Sequence, residues 1–128
     1  MSTAWDGQPP CGQLNPSNDH TYEVVDGVLR FSSSIFFDNL LHLGFDEVNE
    51  QCWETSPELQ QWMIENGIED NQALLQYHAN RLLNITQPLN REPVFWQEAF
   101  DEVRVGKCLG SKYTVRVLTG CMRAESSC

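Results

Sequence analysis

The sequence predicts an α/β fold in which parallel strands alternate with crossover helices. Two short apolar runs, residues 40–43 and 93–96, have the length and composition of buried strands. Longer stretches with apolar residues at helical spacing precede, separate and follow these runs. The resulting order is helix, strand, two helices, strand, helix, and such alternation is typical of a parallel sheet.

The first helix is predicted over residues 21–36, after a loop at residues 5–20 that is rich in Gly, Pro and Asn. Asp19 or Thr21 is expected to cap its N-terminus. The helix is indicated by apolar residues that recur at helical spacing, namely Val24, Val28, Phe31 and Ile35. The run at residues 40–43 follows as a buried strand.

Two helices are predicted between the strands. Ser56 is expected to cap the first of them, with Pro57 at the first helical position and Gly67 at its end. The second is predicted over residues 71–83, and Pro88 prevents its continuation. The expected apolar faces of these two helices are Leu59, Trp62 and Met63, then Leu75, Ala79 and Leu82.

The C-terminal part begins with the second strand, residues 93–96, which is followed by a brief helical stretch to Val103. Apolar and polar residues alternate over residues 113–117, which is a strand pattern. Residues 1–105 have four basic and seventeen acidic residues, a net charge of −13, whereas residues 106–128 have a net charge of +3. We assign no function to residues 106–128. This change of sign favours a domain at 1–105 and a divergent tail at 106–128.

Composition excludes several classes of protein. With 41% hydrophobic and 20% charged residues in 128, the chain is neither disordered nor a membrane protein, and no apolar run approaches the roughly 18 residues of a membrane span. The net charge of −10 argues against a nucleic-acid partner. The first twenty residues lack the features of a signal peptide, which on its own predicts the cytosol.

The five cysteines are Cys11, Cys52, Cys108, Cys121 and Cys128. No pair has the C-x-x-C spacing, so neither a metal site nor a cofactor is expected. Disulfides would require an oxidising compartment, and a missing N-terminus would reconcile them with the absent signal peptide. Asn84 begins an N-glycosylation sequon, which matters only in a secreted or lumenal protein.

Asp46 and Glu47 are the strongest candidates for chemistry, because they follow a predicted strand directly. Active sites of α/β proteins form at the carboxyl ends of their strands. One protonated and one ionised carboxyl group is the usual pair for cleaving a glycosidic bond. The alternative is an ordinary polar loop or helix cap.

Trp96 ends the second strand in the same way as the acidic pair ends the first. Its ring could stack on a sugar, or it could be a plain core residue. His42 is interpreted as a core or supporting residue. His20 and His78 are interpreted as a loop and a helix-surface residue, respectively.

Several motifs together resemble glycoside hydrolase family 20. The sequence HLGFDEV at residues 42–48, followed by CW at 52–53 and SPE at 56–58, is similar to the family's H-x-G-G-D-E-V, C-W and N-P-x. FWQEAFD at residues 95–101 is similar to V-W-Q-E-x-F-D. GQLNPS at 12–17 and TYE at 21–23 resemble the family's preceding loop and helix start.

The resemblance implies a (β/α)₈ barrel of which this chain supplies roughly three βα units, and a β-N-acetylhexosaminidase that acts on N-acetylglucosamine or N-acetylgalactosamine of glycans. It implies that Glu47 is the general acid and that Asp46 orients the substrate's acetamido group, which acts as the nucleophile. It also implies that Trp96 lines the sugar and that Cys11 and Cys52 form a disulfide. The complete protein would be lysosomal or secreted, and a homo- or heterodimer is compatible with it.

The sequence departs from the family at two informative places. Phe45 replaces the second glycine of the motif, where glycine permits a backbone conformation that phenylalanine adopts only with strain. After Val105 the similarity ends. The alternative function is therefore a non-catalytic carbohydrate-binding or subunit-interaction remnant of the same barrel, and we do not expect the isolated chain to be active.

Overall fold

The computed structural model describes residues 13–101 and 116–118, with side chains described for residues 13–99. The helices are α1 (Asp19–Ile35), α2 (Glu50–Glu54), α3 (Pro57–Glu65), α4 (Asn71–Thr86) and α5 (Glu98–Asp101), and a 3₁₀ turn spans Gln87–Leu89. The strands are β1 (Leu40–His42), β2 (Glu92–Trp96) and β3 (Arg116–Leu118). The described residues therefore confirm the predicted order of helices and strands and add α2, which the sequence analysis missed.

The three strands form one parallel sheet in the order β1-β2-β3. His42 pairs with Val94 in the first ladder, and Trp96 pairs with Leu118 in the second. β3 lies within the tail to which no function was assigned and overlaps the strand pattern at residues 113–117. Parallel pairing brings the carboxyl ends of β1 and β2 to the same edge, where the acidic loop begins.

The core lies between the sheet and the helices α2 to α4. Phe95 of β2, Leu59 of α3, and Leu74 and Leu83 of α4 are at most 1% exposed, and Trp53 of α2 packs against the same cluster. The predicted stripe of α4 is confirmed, since Leu75, Ala79 and Leu82 are all buried. α4 therefore provides the support on which β2 and the acidic loop rest.

Local signals in the sequence determine the helix ends. Ser56 caps α3 as predicted, and the chain leaves α3 through a Schellman motif in which Ile68 N–H donates to the Met63 carbonyl at 2.9 Å. Gly67 has the φ of +67° that this motif requires. At α1 the predicted cap is wrong: Asn18 accepts from His20 N–H at 3.0 Å, while Asp19 pairs with Arg81.

The predicted burial of β1 is also wrong, and the apolar stripe that indicated α1 is largely exposed. The exposed fractions of the expected α1 stripe are 52%, 57%, 67% and 48% at Val24, Val28, Phe31 and Ile35. α1 packs instead through Tyr22 and Leu29, because α4 is its main helical neighbour among the described residues. β1 was expected to be buried, but within the described part of the chain it lies at the sheet edge, and Leu40 is 44% exposed.

Replacement of the α4 cap tests how much the fold depends on this helix. Asp70 accepts from Ala73 N–H at 2.7 Å, so Asp70→Ala should lower the free energy of unfolding by about 1 kcal/mol in urea denaturation. Asp70→Asn should retain most of that stability, because the amide oxygen also accepts. Glu69→Ala removes a neighbouring negative charge without a cap and serves as the matched control. Equal losses for Asp70→Ala and Glu69→Ala would contradict the cap.

Candidate functional site

The loop after β1 carries the candidate carboxylates and has an unusual backbone. Leu43 N–H donates to the Val94 carbonyl at 2.8 Å, and Trp96 N–H donates to the Gly44 carbonyl at 3.0 Å, so pairing with β2 continues past the end of β1. The chain then turns through three positive φ angles, +73° at Gly44, +82° at Phe45 and +49° at Glu47. Consecutive left-handed residues of this kind concentrate at functional loops.

Phe45 is the strained residue of this loop. A left-handed conformation costs a bulky residue about 1–2 kcal/mol. The Phe45 ring makes an edge contact with Phe95, with centroids 5.6 Å apart, and stacks on His78 at 6.0 Å and 19°. Aromatic pairs of this kind contribute about 0.5–1.5 kcal/mol each, so the two ring contacts offset the backbone strain.

The loop brings Asp46 and Glu47 to one cavity of about 210 Å³. The cavity lies between the loop and α4, and both acidic side chains are exposed at it. Its other walls are Gln13, Leu14, Leu43, Phe45, Val48, Trp53, Leu75, His78 and Leu82. Two carboxylates beside apolar walls can exchange a proton with a ligand and accept its hydrogen bonds.

Trp96 lies at the end of β2 but is not among the residues that line this cavity. Its ring packs on His42, with centroids 4.9 Å apart. Since side chains alternate along a strand, Trp96 and Val94 share the sheet face opposite Phe95 and α4. The structure thus brings the backbone of Trp96 to the acidic loop, while its predicted role beside a sugar stays a prediction.

His78 is a residue that the sequence analysis placed wrongly at the helix surface. Its Nδ1 lies 3.1 Å from the Tyr22 hydroxyl oxygen, and the Tyr22 hydroxyl donates to the Pro16 carbonyl at 2.9 Å. Because Tyr22 has one hydroxyl proton, His78 Nδ1–H must be the donor to Tyr22. His78 continues the apolar stripe at Leu75, Ala79 and Leu82 with helical spacing, which is the signal that could have identified it.

Burial governs the protonation of this pair. Desolvation, with a smaller contribution from the Arg81 charge, lowers the pKa of His78 to about 4. Burial also raises the pKa of the Tyr22 phenol above its ordinary value. Both groups are therefore neutral at neutral pH. The Arg81 guanidinium carbon lies 4.0 Å from the Tyr22 ring centroid, which is a cation–π contact.

The remaining predicted sites are only partly covered by the structure. Cys52 is a half-buried free thiol, and Cys11 lies outside the described residues, so their disulfide stays a prediction. Asn84 is exposed on α4, while Thr86 of the same sequon is 1% exposed and donates to the Leu83 carbonyl. Within residues 13–99, no three His, Cys, Asp or Glu side chains are grouped to hold a metal ion.

Comparisons with known proteins give one consistent result. The family model described as glycosyl hydrolase family 20, catalytic domain, matches residues 1–125. Beta-hexosaminidase subunit beta of Felis catus is 36% identical over 92 residues, covering 71% of this chain and 17% of that protein. Beta-hexosaminidase subunit alpha of Mus musculus is 38% identical over 90 residues, covering 70% of this chain and 17% of that protein.

The structural comparison agrees with the sequence comparison. The exo-β-N-acetylglucosaminidase of Vibrio harveyi superimposes with a TM-score of 0.69 at 24% identity, over 87% of this chain and 16% of that chain. The likeness extends over most of the chain and supports an α/β fold. The chain spans 17% of the length of each of the two curated relatives. The family match extends to residue 125, so the expectation that the similarity ends after Val105 is wrong, while the separate assignment of residues 106–128 stays a prediction.

Substitutions at Phe45 test the strain in the loop. Phe45→Gly should be more stable than Phe45→Ala by about 1 kcal/mol, because glycine adopts a positive φ without strain and both variants lose the same ring. At Phe31, an exposed residue in the middle of α1, the order should be reversed by a similar amount. Urea denaturation of the four variants measures both differences. The same order at the two positions would contradict a left-handed Phe45.

The buried neutral His78 predicts a specific dependence of stability on pH. Between pH 6.5 and about 4 the unfolded chain binds a proton at His78 and the folded chain does not. The free energy of unfolding should therefore decrease as the pH is lowered through this window and should level off below about pH 4. The free energy of unfolding of the wild type relative to His78→Gln should decrease by up to about 3 kcal/mol. A constant difference from pH 7 to 4 would contradict the burial of His78.

Proposed function

We propose that this chain, which belongs to glycosyl hydrolase family 20, provides the catalytic acid and the substrate-orienting carboxylate of a β-N-acetylhexosaminidase. The observation that carries the proposal is the position of Asp46 and Glu47, adjacent at the carboxyl end of a parallel strand and lining one cavity. Active sites of (β/α)₈ barrels lie at that end of the strands. We propose that the parallel sheet and its helices are about three of the eight βα units.

The proposed reaction divides the work between the two carboxyl groups. Glu47, in its protonated form, donates a proton to the glycosidic oxygen as the bond to the anomeric carbon breaks. The acetamido oxygen of the substrate forms the new bond to that carbon, and Asp46 orients the acetamido group and stabilises the positive charge that develops on it. Glu47 then removes a proton from the water that opens the cyclic intermediate. This substrate-assisted route is a known exception to the scheme with a carboxylate nucleophile.

Other proposed properties of the protein follow from the family and from the position of single residues. Trp96 is proposed as a wall of the sugar site, with terminal N-acetylglucosamine or N-acetylgalactosamine of glycans as the substrate. A lysosomal or secreted location is proposed, with Asn84 as an exposed glycosylation site. A homo- or heterodimer is proposed for the complete protein because the relatives are named as subunits. No helix within the described residues is long and apolar enough to cross a membrane.

The predicted disulfide between Cys11 and Cys52 remains part of the proposal. Cys52 and Gln13 line a second cavity of about 120 Å³. Cys11 is two residues before Gln13, a distance of at most about 7 Å along the chain. Gln13, the second residue after Cys11, lines the same cavity as Cys52, which supports the proposed pairing.

A second candidate function is non-catalytic binding of N-acetylhexosamine or of another subunit. Phe45 favours it, because its ring occupies the position of a glycine in the family motif and forms one wall of the cavity that holds the carboxylates. The retained pair Asp46 and Glu47 favours catalysis. Isothermal titration with N-acetylglucosamine distinguishes the two functions, since heat of binding without turnover would support the binding protein.

Hydrolysis of a chromogenic N-acetylglucosaminide tests the proposed function. The 128-residue chain should show no turnover, because both carboxylates are exposed to water. When the aligned segment of this chain, 71% of its length, replaces the matching 92 residues of the Felis catus subunit, the chimera should hydrolyse the substrate. Glu47→Gln in the chimera should reduce kcat at least about 100-fold, as expected when a general acid is removed.

Glu69→Gln is the matched control for this substitution, because Glu69 is an exposed acid before α4 and outside the cavity. It should leave kcat unchanged. Turnover by the isolated chain that requires Glu47 would show that the chain alone is active. An active chimera that tolerates Glu47→Gln would refute the assignment of the acid.

A further inference from the structure

A continuous row of ring contacts connects the outer side of α1 and α4 with the sheet. Its members, called here the aromatic row, are Arg81, Tyr22, His78, Phe45 and Phe95. The guanidinium of Arg81 lies 4.0 Å from the Tyr22 ring, and the following ring centroids are 5.6, 6.0 and 5.6 Å apart. Phe45 belongs both to the aromatic row and to the loop that carries the two carboxylates, so the row and the loop are directly connected.

The His78 ring is held in one orientation within this row. Its Nδ1–H donates to the Tyr22 oxygen at 3.1 Å, and the Tyr22 hydroxyl is committed to the Pro16 carbonyl. The Arg81 guanidinium lies over the Tyr22 ring and donates hydrogen bonds to Asp19 and to the Tyr77 hydroxyl. Rotation of the imidazole would break the partly buried bond to Tyr22, so His78 presents a fixed flat face to Phe45.

Phe45 needs such a face, because its left-handed backbone is unfavourable for a phenylalanine. Such a conformation persists where the surroundings hold it, and the Phe45 ring contacts both His78 and Phe95. The direction of the chain at Phe45 then sets that of the next residue. Asp46 turns back over Gly44, with its Oδ1 3.6 Å from the position that a Cβ on Gly44 would occupy.

We propose that His78 is a positioning residue for the acidic pair, acting through the ring of Phe45. The stacked imidazole keeps residue 45 left-handed, and this conformation aims Asp46 and Glu47 into the cavity beside α4. The effect of His78 on catalysis rests on the proposed function. The structural link between His78 and the loop does not depend on that function. The competing interpretation is that His78 only stabilises the core as a whole.

Two substitutions separate the stacked ring from the hydrogen bond. His78→Phe keeps a flat ring beneath Phe45 and loses the bond to Tyr22. His78→Gln keeps a donor for Tyr22 and loses the ring. His20→Gln makes the same change at an exposed histidine of α1 outside the row and is the matched control. All variants are made in the 128-residue chain.

Amide hydrogen exchange, measured by NMR, is the readout. Gly44 N–H bonds to His42 Nδ1 and Trp96 N–H bonds to the Gly44 carbonyl, so these two amides report on the loop. The amide of Leu83, in the core helix, reports on the fold as a whole. His78→Gln should accelerate exchange at Gly44 and Trp96 at least tenfold relative to Leu83, while His78→Phe and His20→Gln should change this ratio less than twofold.

Each outcome decides the question. A uniform acceleration at all three amides in His78→Gln would overturn the proposal, because it would show a general structural role. If His78→Gln does not fold, His78→Phe decides, and faster exchange at the loop in that variant would also overturn it. In a Phe45→Gly background no ring remains to be held, so His78→Gln should have no further local effect, and a persisting tenfold effect would contradict the link.

The exchange experiment is independent of turnover. A chimera that hydrolyses no N-acetylglucosaminide would refute the proposed function while leaving these exchange ratios valid. Local acceleration in His78→Gln together with Glu47-dependent turnover in the chimera would support both.

Discussion

The structure depends on the complete burial of Phe95 between α4 and the loop that follows β1. Phe95 lies between Val94 and Trp96 in β2 and has no exposed surface. Its ring contacts the Phe45 ring edge to face. Its burial holds the sheet against α4, and the same contact fixes one side of the loop. The position of the carboxylates is therefore tied to the core, because the residue before them is itself part of that core.

In this arrangement tertiary contacts offset unfavourable local conformations. Phe45, with φ of +82°, is unfavourable in isolation, and so is the desolvation of an imidazole nitrogen that has no hydrogen-bond partner. Each is compensated by a neighbour: Phe45 by the rings of Phe95 and His78, and His78 by its bond to Tyr22. Strain that persists because the surroundings over-determine it is a recurrent property of loops that carry functional groups. The exposed apolar stripe of α1 and the open edge of β1 show that the described part of the chain covers these surfaces only on one side.

The elements whose structure depends on neighbours in sequence were predicted well. The cap at Ser56, the glycine that ends α3, and the apolar stripe of α4 are confirmed, since each is a short-range effect of side chain on backbone or of helical spacing. The acidic pair at a strand end was identified in the same way, from an apolar run followed by Asp46 and Glu47. The short helix α2 escaped prediction, although Asn49 followed by Glu50 is a local cap signal of the same kind.

The sequence by itself determined the α/β class, the family, and the location of the candidate carboxylates at the end of β1. Only the tertiary structure decided which face of α1 is packed, that Tyr22 and His78 form a buried pair, and that Phe45 occupies a left-handed conformation. The physical reason is the range of the interactions. Caps, turns and periodicity act within a few residues, whereas the environment of His78 is formed by Tyr22 and Phe45, which are 56 and 33 positions away in the sequence. A helical pattern can show that α1 has apolar residues on more than one side, but which side is buried is decided by the neighbour that packs there.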